Sequence, residues 1–156
     1  MLGSRSSSLA PWRRLTGPVC VALALFGLFG CKKRGEECQR FIGTVNRTLR
    51  EIDARPQPKP DDLPAVIKHR AALAKQYFAL AQEVSQLPLT EPALVSRAKR
   101  YSELAKAAGS ALGDAVKAIK ARDPDKAKES QERFDRVAKE ESALVREIND
   151  MCLGDG

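Results

Sequence analysis

Prolines divide this chain more sharply than any other residue type. A proline has no backbone N–H and its ring clashes with the carbonyl four residues back, so a helix accepts it only in its first turn. Beyond residue 30 the prolines are Pro56, Pro58, Pro60, Pro64, Pro88, Pro92 and Pro124, and the long stretches between them contain none. The chain therefore breaks into segments long enough to be helices and too long, unbroken, to be ordinary strands.

The start signals agree with that division. A first helix is expected from Glu36 to Ala54, ending before Pro56-Gln57-Pro58-Lys59-Pro60. Asp62 offers a cap for a second, Leu63 to Gln86, with Pro64 in its first turn. Leu87-Pro88-Leu89 interrupts. Thr90, with Glu91 and Pro92 after it, opens a third helix that reaches Ala121, and Asp123-Pro124-Asp125 opens a fourth that runs to Met151 and stops by Gly154.

Within each segment the apolar residues recur at steps of three and four, the mark of one buried stripe. The first helix gives Cys38, Phe41, Ile42, Val45, Leu49 and Ile52. The second gives Leu63, Val66, Ile67, Ala74, Tyr77, Ala81 and Val84. The third gives Leu94, Ala98, Tyr101, Ala105, Ala108, Leu112, Val116 and Ile119; the fourth gives Ala127, Phe134, Val137, Ala138, Leu144, Val145, Ile148 and Met151. No stretch alternates with period two. An all-α domain follows, and short connections between long helices favour an antiparallel, up-down four-helix bundle. A stack of helical hairpins is the runner-up, although no internal repeat is evident.

The first 30 residues have a different character. Arg5, Arg13 and Arg14 precede an uncharged run from Pro18 to Gly30, with no acidic side chain anywhere before Cys31. That run falls short of the roughly 20 apolar residues of a membrane-spanning helix and has the layout of a secretory signal. Leu28-Phe29-Gly30-Cys31 closes it, and this resembles the lipobox of a bacterial lipoprotein precursor. The resemblance covers only about the first 31 residues. It implies that residues 1–30 are a cleaved signal peptide, that the thiol of Cys31 receives a diacylglycerol, and that residues 31–35 form the lipidated N-terminus and tether of a helical domain, 36–153. The alternative is an uncleaved, membrane-dipping segment. Arg13-Arg14 lacks the apolar pair that twin-arginine export expects after it, so general secretion is the expected route.

Charge and cysteines fit that compartment. The chain has 27 Lys+Arg against 20 Asp+Glu, and without the three leader arginines the balance is 24 against 20. Lys32, Lys33 and Arg34 would favour anionic headgroups near the anchor. Nothing argues for nucleic acid, because no basic block is interleaved with aromatics. Of the four cysteines, Cys20 leaves with the leader and Cys31 is taken by lipid, so Cys38 and Cys152 remain as a disulfide pair in an oxidising compartment. Two free buried thiols or an intermolecular bond are the alternatives. An even number of antiparallel helices brings Cys38 and Cys152 to the same end of the molecule, whereas three helices would set them about 30 Å apart.

Candidate functional residues are few. His69 is the only histidine and has no partner histidine or Cys-x-x-Cys-His motif, so packing at the edge of the second helix is the plainer reading. A Met and His axial pair, as in soluble cytochrome b bundles, would need His69 and Met151 to meet. Glu36-Glu37 and Glu140-Glu141 are adjacent on a helix and do not face each other, so solvated charge is expected. Ser110 lacks a base at an informative spacing. Gly109 and Gly113 would mark a bend or a close helix contact in the third helix, whose small residues either pack tightly or present a groove to a partner. Tyr77, Phe78 and Tyr101 are the aromatics to inspect, and an apolar patch follows if Phe78 and Leu80 point outward. No catalytic residue, cofactor site or metal site is expected, and the chain does not read as an enzyme. It reads as a lipid-anchored envelope protein, outer membrane facing the periplasm or cell surface, with a structural or partner-binding role toward another envelope protein or the cell wall. A ligand- or metal-binding bundle is the second reading.

Overall fold

The computed structural model describes residues 28–153, with side chains from Lys33 onward. Four helices account for nearly all of it: α1 (Leu28–Asp53), α2 (Leu63–Ser85), α3 (Pro92–Lys120) and α4 (Pro124–Leu153). The domain is an all-α bundle, with no strand among the described residues. The expected signal peptide lies outside the described residues through residue 27, as does Gly154. Cys31 falls in the first turn of α1, and its side chain is likewise outside them.

Local chemistry sets the helix boundaries. The Asp62 carboxylate accepts from the Ala65 N–H at 3.0 Å and caps α2, with Pro64 in the first turn. Asp123 does the same for α4 by accepting from the Lys126 N–H at 3.0 Å. The turn between α3 and α4 is tight. The Asp123 N–H donates to the Ala118 carbonyl and the Arg122 N–H to the Ile119 carbonyl, closing the end of α3 as a Schellman motif. Arg122 occupies its left-handed position, φ 56°, where glycine is the usual occupant.

Contacts run in opposite directions along consecutive helices. From α1 to α2, Arg47 meets Glu83 at 2.8 Å and Arg55 meets Gln76 at 2.7 Å. From α2 to α3, the Ser102 hydroxyl donates to the Ala81 carbonyl at 2.8 Å, and Gly109 lies against Ala74. From α3 to α4, Arg100 meets Glu147 at 3.4 Å and Asp114 meets Arg133 at 2.9 Å. The α3 helix lies between α2 and α4, while α1 leans on α2 and meets α4 narrowly.

The core follows the stripes, with two instructive departures. Cys38, Phe41, Val45, Ala81, Val84, Leu94, Ala98, Tyr101, Ala105, Leu144 and Ile148 gather in one buried cluster. Leu80 joins them with no exposed surface, so it does not form an outward patch with Phe78, which is 46 % exposed. Conversely, Leu63 is 50 % exposed and Val66 and Ile67 are only half-buried. The register that sets Arg55 against Gln76 explains this: α1 has ended before it could cover the first turns of α2. At that end the bundle is three helices thick, and the proline-rich segment between α1 and α2 lies alongside instead.

The beginning of α1 also differs from expectation. The helix expected from Glu36 already includes residues 31–35, and α1 enters the core directly at Glu37 and Cys38.

Candidate functional site

Several long-range bonds meet at the end where α1 begins. Cys38 and Cys152 stand at disulfide distance, Sγ–Sγ 2.10 Å and Cα–Cα 5.8 Å, and are 114 residues apart in sequence. One turn earlier the Arg34 guanidinium donates to the Met151 carbonyl. These contacts tie the start of α1 to the end of α4. Arg40 donates to the Pro88 carbonyl at 3.4 Å, reaching the loop between α2 and α3.

Glu37 is the residue that sequence reasoning misplaced. It was expected to be solvated, yet it is buried against that loop and takes three hydrogen bonds. The Thr90 hydroxyl donates to one carboxylate oxygen at 2.6 Å, and the Thr90 and Glu91 N–H groups donate to the other at 2.9 and 3.0 Å. Glu91 itself supplies no side-chain cap for α3. The carboxylate from α1 instead holds the two residues that lead into α3, close to the positive end of that helix's dipole. The Thr90 hydroxyl bond first, and the two N–H bonds after it, lower the Glu37 pKa to about 2. The sequence signal was available: Glu37 adjoins Cys38 on the stripe-bearing face of α1.

Behind the clasp lies an aromatic layer. Phe41 and Tyr101 meet edge to face with ring centres 5.7 Å apart, and Tyr77 and Phe134 do so at 6.0 Å. The Tyr101 hydroxyl donates to the Glu141 carboxylate. Burial, then the Glu141 charge, pushes the Tyr101 pKa upward, and burial pushes that of Tyr77 up to about 12. Both phenols stay protonated at physiological pH, and both rings pack in the aromatic layer. Glu141, expected to be solvated, is thus half-buried and engaged.

The remaining candidates do not converge. His69 lines a surface cleft of about 350 Å³ with Arg55, Pro56 and Pro58. Met151 packs on the core cluster at the clasped end, about 20 Å away along α2 by helix rise, so the two do not meet. A cleft of about 370 Å³ between α3 and α4 holds Asp114, Lys117, Asp123, Lys126, Glu129 and Arg133. Its charges pair internally: Asp114 with Lys117 and Arg133, Asp123 with Lys126, each at 2.9 Å. Those bonds hold both aspartates below their usual pKa and raise that of Lys126. The three acids and three bases of this cleft balance in formal charge. Ser110 lies in a shallow cleft with Arg133, Arg136 and Glu140. Among the described residues no group of three or more His, Cys, Asp or Glu is placed to hold a metal ion, and no helix is long and apolar enough to cross a membrane.

Comparison with known protein families, with curated proteins and with solved structures finds no match to this chain.

Proposed function

We propose that this protein is a bacterial lipoprotein that holds a small helical bundle at the cell envelope, outer membrane facing the periplasm or cell surface, as a structural or partner-binding module. The observation that carries this reading is Leu28-Phe29-Gly30-Cys31 at the end of an arginine-bearing, acid-free leader. The clasp supports it. A Cys38–Cys152 bond suits an exported domain, and it fixes the chain within one turn or two of the proposed anchor. A domain so fastened presents its opposite end to the surroundings. There Leu63, Ile119, Pro124 and Ala127 border an apolar groove of about 390 Å³, the surface a partner would reach.

The test has two parts. Replacing Cys31 with serine is expected to move the protein from the membrane fraction to a soluble or unprocessed form; membrane retention with normal processing would contradict the anchor. Lipidated protein extracted in mild detergent is expected to co-purify with an envelope partner that a Leu63→Asp, Ile119→Asp double variant loses. A partner that is equally retained by that variant would contradict the groove.

A further inference from the structure

We propose that the clasped end of the bundle lies on the membrane surface, as a second, reversible contact beside the lipid, with the α2–α3 loop and the end of α4 against anionic headgroups. This inference rests on Cys31 being the acylated residue. Glu37 is six steps along the chain from Cys31, and the five residues between them belong to α1. At helical rise those steps span about 9 Å, and even drawn out they would span only about 20 Å. Glu37 grips Thr90 and Glu91 directly, so the loop cannot stand further from the anchor than that. A glyceride seated at the bilayer surface therefore brings this end of the bundle to the headgroups, and no other end.

The surface presented there suits that neighbour. Leu153 is 75 % exposed and Val95 is 42 % exposed, two of the four large apolar side chains with the most open surface among the described residues. Val95 borders a groove with Leu87, Leu89 and Lys99 beside the loop. Lys33, Arg40 and Lys99 are exposed around these tips, whereas Arg100 is occupied by Glu147. Besides the paired Glu147, the exposed acids close by are Glu36, Asp150 and Glu103; Glu103 shares the groove with Lys99 and Lys106, so four bases (Lys33, Arg40, Lys99 and Lys106) stand against three acids. Apolar tips inside a basic rim are what an anionic lipid surface attracts.

The one tryptophan of the sequence, Trp12, belongs to the leader. A processed protein carrying a single introduced tryptophan is then a clean depth probe. Lipidated full-length protein with Leu153→Trp, Val95→Trp or Leu63→Trp would be placed in phosphatidylcholine vesicles containing phosphatidylglycerol, with bromine on the upper acyl chains. All three positions are exposed and accommodate the ring. Strong quenching is expected at 153 and 95 and none at 63, with the quenching at 95 falling when phosphatidylglycerol is omitted. Equal quenching at all three, or none at 153 and 95, would overturn the inference, and quenching indifferent to phosphatidylglycerol would overturn its anionic assignment. The intact mass of the same sample separates the two levels: quenching absent on diacylated protein defeats this inference alone, while a mass without lipid defeats the anchor as well.

Discussion

Glu37 accepts three of the hydrogen bonds that join α1 to the loop before α3. It is a carboxylate on an otherwise apolar face, held there by three donors from the two residues that precede α3. Its folded pKa of about 2 lies below the ordinary 4.5, so the stabilisation it gives is fully present above pH 4.5 and is lost as pH falls toward 2. Glu37→Gln is expected to lower the melting temperature at neutral pH, with the gap to the parent protein closing across that acid window. A gap that stays constant from neutral pH to pH 2 would show that the carboxylate charge is not what holds the loop. Arg122 is the other residue whose place costs something, since a side chain at φ 56° meets the following carbonyl. Arg122→Gly is expected to raise stability by up to about 1 kcal/mol in a thermal melt, the left-handed strain being partly offset by the added freedom of the unfolded chain.

At the scale of elements, the two glycines of α3 separate cleanly. A methyl group at Gly109 would come within 3.0 Å of the Ala74 carbonyl oxygen and 3.1 Å of the Phe78 ring, whereas nothing lies within 4 Å of the same position at Gly113. Gly109 is there so that α2 and α3 can approach closely. Gly113→Ala is expected to stabilise by about 0.5–1 kcal/mol through helix propensity alone, and Gly109→Leu to destabilise by about 1–3 kcal/mol through overpacking; chemical denaturation of the pair would read both. Helix number, order and most of the buried stripe were legible because proline punctuation and three-to-four spacing are local properties. Leu63, Val66 and Ile67 read as core on the same grounds and are not, because burial there depends on how far α1 reaches, which only the register of Arg47 on Glu83 and Arg55 on Gln76 reveals. Leu80, left off the stripe, is fully buried in the core cluster.

For the whole molecule, the clasp decides how the bundle is held. Linking positions 114 residues apart removes a large loop's freedom from the unfolded chain, and loss of such a bond costs about 2–5 kcal/mol. Reducing the parent protein, or introducing Cys38→Ser under non-reducing conditions, is expected to cost stability of that order and so lower the melting temperature; an unchanged melt would mean the thiols are not joined. The pairing was legible because four antiparallel helices put the first and last stripes at one end. The roles of Glu37 and Glu141 were not, since both depend on donors, Thr90 and Tyr101, that lie more than a helix away in sequence. The proposed acylation of Cys31 orders the rest, because it would give the bundle its place, its oxidising surroundings and its orientation. Intact and peptide mass spectrometry of protein purified from its native membranes tests it most directly. The expected result is an N-terminal peptide that begins at Cys31 and carries a diacylglycerol, and a peptide that retains Met1 would contradict it.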